Sequence, residues 1–338
     1  MLGGRPAVHD ACVQQPVKSV APPMFLCVSP NPAIDKRLRV ESVAAGKVIR
    51  ARSAQAFAGG KSAHVAMVLR TLGNTPRWAG LCGDKTGEEL ASRLSQLFIE
   101  THPSQTAGQT RTNLEIIDDR GSVTEILEPG EAPTDDEVVR FEETCSKLFR
   151  EGKDQLWVIF SGSLPPGISS DFYARLILMA KSFACRTCLD AGGEPLGVAL
   201  PAHPDFIKPN RDEASTHLKI QIDTLPSAAD ALRRLIKQGA RAAALSLGAE
   251  GMLYCAGESE PVLYAPAAPM QVHSAVGCGD SAMAGFVHAF ASNASTENAI
   301  ELATACAAAN CIADAPGAAR LRDIQDILPS VRVQILSE

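Results

Sequence analysis

The chain has 338 residues, 46% hydrophobic and 21% charged, which suffices to bury a sizeable core as one large domain, with or without a small accessory. Its net charge of −6 comes from 32 basic and 38 acidic residues with no basic run or patch, which argues against a nucleic-acid partner. No apolar run reaches the length of a membrane span, and the first 23 residues lack the continuous apolar stretch of a secretory signal.

Residues 1–23 read as a mobile tail, and residues 24–338 as the folded domain. A short apolar strand at Met24–Ser29 ends in a Pro-Asn-Pro turn, and 36–58 is β-like with Gly46 as a turn. Residues 61–72 read as a helix closed by Gly73, 77–81 as a strand, and 86–97 as a helix with Thr86 and Glu89 as a capping box. Two alternating runs at 110–128 flank a turn at 119–121, the signature of a hairpin. A helix at 134–149 carries a second capping box, Thr134 with Glu137.

Strands then alternate with helices: strands at 156–161, 187–190, 206–208 and 242–247, helices at 171–182 and 228–238. A hairpin-like stretch at 251–264 precedes long helices at 280–291 and 297–313. Continuous apolar strands alternating with helices predict a parallel sheet covered on both faces. The β pieces at 36–58 and 110–128 do not fit that sheet and are expected to pair as a small separate sheet, a lid over the strands' C-terminal ends.

Of ten cysteines, only Cys185 and Cys188 form a Cys-x-x-Cys pair, and no second pair exists to complete a zinc site. Scattered apolar contexts predict reduced, buried thiols in a cytoplasmic protein. Cys278 differs, since it sits in a glycine-rich turn and is either a reactive thiol or simply a small residue.

That turn is the most informative stretch. Gly277, Cys278 and Gly279 precede Asp280 at the start of an apolar helix, which aims backbone N–H groups at one spot beside a carboxylate. Alone it reads better as a glycine turn capped by Asp, but other segments supply parts of one site. Asp35, just past the first strand, is either a turn residue or an acceptor for sugar hydroxyls. Gly59 and Gly60 open a helix where a backbone can approach a ligand, or serve as a hinge. Arg111 is suited to bidentate phosphate binding or is merely solvated. The loop SGSLPPG at 161–167 offers Ser163 as a donor, and its prolines fix its path. Asn210 and Glu213, three apart, either hold Mg²⁺ through water or form an ordinary helix cap. SLGAEG at 246–251 could hold nucleotide phosphates or ribose.

In this order, SGSLPPG, KPN at 208–210, SLGAEG and VGCGDSAMAGF at 276–286 resemble the ribokinase-like (pfkB) carbohydrate kinases, and within them the branch of 1-phosphofructokinase and tagatose-6-phosphate kinase. The resemblance runs from about Met24 to the C-terminal helices and implies a three-layer α/β/α fold with a mainly parallel sheet and a small β lid. It implies transfer of the γ-phosphoryl of ATP, with Mg²⁺, to a ketohexose monophosphate, either fructose 1-phosphate or tagatose 6-phosphate. By resemblance Asp280 is the base and the amides of Gly277, Cys278, Gly279 and Asp280 form an anion hole. Lys208, Asn210, Ser246, Gly248 and Gly251 would meet ATP, and Asn210 with Glu213 would hold Mg²⁺. Asp35, Lys47, Gly59, Gly60, His64, Arg111 and Ser163 would line the sugar-phosphate site. The lid of relatives often pairs between subunits, which implies a homodimer.

Two departures stand out. The family's GGKGxNxA reads Gly59-Gly60-Lys61-Ser62-Ala63-His64-Val65-Ala66 here, so Ser62 replaces a Gly and the titratable His64 replaces an Asn that usually meets the sugar. Cys278 replaces the usual Ala of GAGD. His64 leaves open a kinase for an unphosphorylated sugar or nucleoside, and a catalytically silent sugar- or nucleotide-binding regulator is the reading from another class. An NAD enzyme is discounted, because the first turn reads SPNPAID rather than GxGxxG.

Overall fold

The computed structural model describes residues 22–336. The expected tail therefore lies almost wholly outside the described residues.

The elements begin with β1 (Met24–Ser29), β2 (Ala33–Arg39), β3 (Ser53–Gly59), α1 (Lys61–Thr71), β4 (Pro76–Gly83), α2 (Asp84–Gln96) and β5 (Glu100–Thr106). They continue with β6 (Arg111–Ile117), β7 (Val123–Leu127), α3 (Asp135–Gly152), β8 (Leu156–Ser161), α4 (Phe172–Ser182), β9 (Arg186–Asp190) and α5 (Gly193–Ala199). Next come β10 (Phe206–Ile207), α6 (Arg211–Leu218), α7 (Leu225–Lys237), β11 (Ala242–Ser246), β12 (Met252–Cys255) and β13 (Val262–Ala265). The chain closes with α8 (Cys278–Ala291), α9 (Thr296–Cys311), α10 (Leu321–Ile327) and β14 (Gln334–Leu336).

A 10-stranded sheet runs β14-β13-β12-β11-β10-β9-β8-β1-β4-β5. Neighbours from β5 to β11 pair in parallel, whereas β12, β13 and β14 add on antiparallel. Each central strand buries both faces. On β1, Phe25 and Cys27 point into a core shared with α1, α2, α8 and α9, and Leu26 and Val28 point into one shared with α3, α4 and α7. That alternation, apolar on both sides, is what makes a three-layer α/β/α arrangement. Among the rings packed under α8, Phe206 and Phe286 have centroids 5.0 Å apart.

The second sheet has 4 strands in the order β3-β2-β6-β7. The expected hairpin at 110–128 is β6 with β7, and β6 also pairs with β2, in parallel. Residues 36–58 form no continuous β run, because an exposed stretch separates β2 from β3.

Two further expectations change. The Thr86–Glu89 capping box does not form: α2 starts at Asp84 behind Gly83, and the Thr86 amide donates to Asp84 Oδ1 at 2.8 Å. Strand β4 runs straight into the helix there, so no linker remains to place Thr86 as a cap. Strand β5 has no counterpart in the sequence reading. Its composition, ETHPSQT, is polar and contains Pro, which is tolerable because β5 is the edge of the sheet. The Thr134–Glu137 capping box forms as expected.

Candidate active site

The loops after β1, β8, β9, β10 and β11 all leave the large sheet at its C-terminal edge, where ligands bind in open α/β sheets. The inner face of the small sheet looks onto the same edge. Side chains alternate along a strand, so Asp35 and Arg37 of β2 share a face with Arg111, Asn113 and Glu115 of β6, in matching register.

At the centre, His64 on α1 lies between two carboxylates. Its Nδ1 donates to Asp280 Oδ2 at 2.8 Å, and its Nε2 lies 2.9 Å from Asp35 Oδ2. All three residues are buried. Burial works against a charged imidazole, but the hydrogen bonds and charges of Asp280 and Asp35 outweigh it and raise the His64 pKa to about 10. The site thus holds an imidazolium at neutral pH. Burial opposes the charge on Asp35 too, yet His64, the Asn113 amide at 2.9 Å and the Gly60 backbone keep its carboxyl below the usual range. Gly59 must be glycine, since a Cβ there would come within 2.3 Å of the Asp35 carboxyl carbon.

Asp280 sits in the first turn of α8. The helix is preceded by Gly277, whose φ of 80° is left-handed and favours glycine. The Cys278 amide turns back to the Ala275 carbonyl at 3.2 Å, so it does not face the cleft as expected. The amides of Gly279 and Asp280 have no backbone partner among the described residues. Lys208 is close by: a Cβ on Gly279 would lie 3.3 Å from its Nζ.

A chain of charges leads away from this turn. Lys208 Nζ is 2.9 Å from Asp190 Oδ2, and Lys61 Nζ is 3.0 Å from Asp190 Oδ1 and 3.1 Å from Glu213 Oε1. Asp190 is fully buried, which by itself disfavours its charge, but the two ammonium groups hold it well below the usual carboxylate range. The carboxylates in turn raise the Lys61 pKa against its own desolvation. Neither Lys61 nor Asp190 was among the expected site residues. The signal for Asp190 is an acid ending an apolar strand.

Asn210 and Glu213 adopt the capping arrangement. Asn210 Oδ1 accepts from the Glu213 amide, and Glu213 Oε2 accepts from the Asn210 amide, each at 2.8 Å. With Glu213 Oε1 on Lys61, neither side chain offers a free oxygen for direct metal ligation. No group of three or more His, Cys, Asp or Glu suited to a metal occurs among the described residues. Ser246 bridges to Asn210, which brings the 246–251 loop beside KPN. Within that loop Gly251 is buried and Gly248 is exposed.

Arg111 donates to the carbonyls of Glu128 at 2.8 Å and Asn31 at 3.1 Å. Asn31 also reaches Ser163 Oγ at 3.1 Å, so these three residues form one rim of the cleft. Lys47 lies on the exposed 41–52 connection and is not brought to this cluster. Further along the small sheet, Arg37 Nε meets Glu115 Oε2 at 2.6 Å, and Glu115 Oε1 accepts from Ser274 Oγ at 2.6 Å. Arg37 also donates to the Asp314 carbonyl. This buried network, invisible in the motifs, ties the small sheet to the loop before α8.

Residues 29–319 match the pfkB family of carbohydrate kinases. The chain is 34% identical over 279 residues to a 1-phosphofructokinase of Rhodobacter capsulatus, covering 82% of this chain and 87% of that one. It is 28% identical over 303 residues to a D-tagatose-1-phosphate kinase of Klebsiella oxytoca, covering 90% and 97%. The fold superposes on phosphofructokinase-2 from Escherichia coli in complex with fructose-6-phosphate with a TM-score of 0.83, at 25% identity and over 91% and 98% of the two chains. A cleft built at the C-terminal edge of this sheet, with the matched segments around it, leaves one conclusion: the chain belongs to the pfkB family and is an ATP-dependent carbohydrate kinase.

Proposed function

We propose that this kinase phosphorylates fructose 1-phosphate on its free terminal hydroxyl, giving the bisphosphate. The similarity to the Rhodobacter capsulatus 1-phosphofructokinase supports the substrate most directly. The rim formed by Arg111, Asn31 and Ser163 supports a phosphorylated sugar, since a guanidinium matches phosphate geometry. A tagatose phosphate is the second reading, favoured by the Klebsiella oxytoca relative.

Asp280 orients the attacking hydroxyl and takes its proton. In a loose transition state the nucleophile bonds late, so a positioned carboxylate suffices. His64 occupies one Asp280 oxygen and leaves the other for the hydroxyl, and it keeps Asp35 aimed at the neighbouring sugar hydroxyls. The Gly279 and Asp280 amides and the Lys208 ammonium stabilise charge on the transferring group. Asp190 holds Lys61 and Lys208 beside that path. Mg²⁺ arriving with ATP would be held by Asn210 and Glu213 through water, where it would neutralise phosphate charge. The small sheet acts as a lid that excludes water and suppresses ATP hydrolysis. Its outer strand β7 exposes Val123, Ile126 and Leu127, which supports a homodimer through this sheet, testable by sedimentation. The free thiols among the described cysteines support a cytoplasmic location.

The test is ADP release with MgATP against fructose 1-phosphate, tagatose 1-phosphate, tagatose 6-phosphate, fructose 6-phosphate, fructose and ribose. Turnover is expected on a ketohexose phosphate, fructose 1-phosphate foremost. Turnover on free sugars alone would overturn the assignment of Arg111 to phosphate.

A further inference from the structure

Two half-buried thiols meet at the anion-binding turn. Cys278 opens α8, two residues before Asp280, and Cys311 ends α9. Their sulfurs are 2.9 Å apart, although the residues are 33 apart in sequence. The other described cysteines are all buried.

The backbone around the pair is already fixed. The Cys311 carbonyl accepts from the His273 amide at 2.8 Å and from the Ser274 amide at 3.3 Å. The Asn310 side chain donates to the Val276 carbonyl at 2.8 Å and to Cys278 Sγ at 3.4 Å. A covalent bond would therefore close a gap between groups that are already held together, down to the S–S length of about 2.05 Å. The Cys278 sulfur beside it lowers the Cys311 pKa, which favours Cys311 as the attacking sulfur.

We propose that Cys278 and Cys311 form a reversible intrachain disulfide that switches the kinase off. The oxidant is a low-molecular-weight disulfide such as glutathione disulfide. The Cys311 thiolate attacks one of its sulfurs, forming a mixed disulfide and expelling one thiolate. The Cys278 thiol then gives its proton to that thiolate and attacks Cys311 Sγ, expelling the second thiolate, which takes a proton from water. Two electrons pass from the protein pair to the small disulfide, which leaves as two thiols. Shortening the sulfur separation from 2.9 Å to the bonded length draws the first turn of α8 toward the last turn of α9 and shifts the Gly279 and Asp280 amides out of line with a transferring phosphoryl group. Misplacement by about 1 Å at such a site costs on the order of a hundredfold in rate.

The switch rests on the site proposed above, but the bond does not. The full chain is treated with glutathione disulfide, mapped by mass spectrometry of non-reduced peptides, and assayed for sugar-dependent ADP release. We expect a linked Cys278–Cys311 peptide, a rate at least about tenfold lower, and full recovery with dithiothreitol. Cys311→Ala should keep the reduced rate and lose sensitivity to the oxidant. Absence of the linked peptide, or its presence with an unchanged rate, overturns the proposal. So does Cys311→Ala losing activity on oxidation, which would assign the effect to another thiol. A linked peptide in a protein that phosphorylates no sugar at all would refute the substrate and the switch while leaving the bond in place.

Discussion

The two sheets solve opposite problems. In the large sheet the strands are apolar on both faces and their stability comes from burial against helices, as with Phe25 and Leu26 on adjacent positions of β1. In the small sheet, β7 is exposed throughout and the buried face of β2 and β6 carries charge: Asp35, Arg37 and Glu115. Such charges are tolerable only when paired, so this face of the sheet is held by the partners that line the cleft, while Ile34 and Ala58 on its other face join the apolar core. The large sheet can be perturbed without touching chemistry, whereas nearly every inward change in the small one should register in activity.

The sharpest break between the two regions is expected at Asp280. Asp280→Asn should lower kcat by about 10²–10⁴-fold, the usual worth of a positioned base, while ATP affinity in a binding titration stays nearly unchanged. A near-wild-type rate would remove Asp280 from the base role. Next comes the large-sheet core, where Phe286→Ala should cost about 3–5 kcal/mol in denaturant unfolding with KM for sugar unaltered. A KM shift there would deny the separation of core from site.

In the small sheet, Arg111→Met removes a charge-assisted contact and should raise KM for the phosphorylated sugar about 10–100-fold, with KM for ATP unchanged. A pH series reads out the bridge at His64. Its folded pKa of about 10 lies above the unfolded value of about 6.5, so the native state holds the extra proton between them. The stabilisation is full below pH about 6.5 and declines as pH rises toward about 10, at no more than about 1.4 kcal/mol per pH unit. His64→Asn should flatten that decline in urea unfolding, and an identical slope in the variant would refute the bridge. The smallest effect is expected at Lys47→Ala, on the exposed connection, where kinetic constants should stay within about twofold, as for surface changes generally.

The strands of the large sheet could be read before the structure because burial on both faces leaves runs such as MFLCVS and LWVIFS that suit little else. Strand β5 could not, since an edge position relaxes the demand for apolar residues. Within the site, the glycine-rich turn and the Asn210–Glu213 spacing were legible as local patterns with local causes. The spacing, however, had two meanings, and the side chains here form the cap. Lys61 and Asp190 were missed because an ion pair between residues 129 apart leaves no local periodicity.

By itself, then, the sequence determined the layered α/β architecture, the family and the segments around the cleft, because each depends on hydrophobic period or on short backbone motifs that neighbouring residues specify. Only the tertiary structure decided the parallel pairing of β2 with β6, the His64 bridge between Asp35 and Asp280, the Arg37–Glu115–Ser274 network and the meeting of Cys278 with Cys311. Those contacts join residues remote along the chain, and it is strand order and helix placement that bring them within reach.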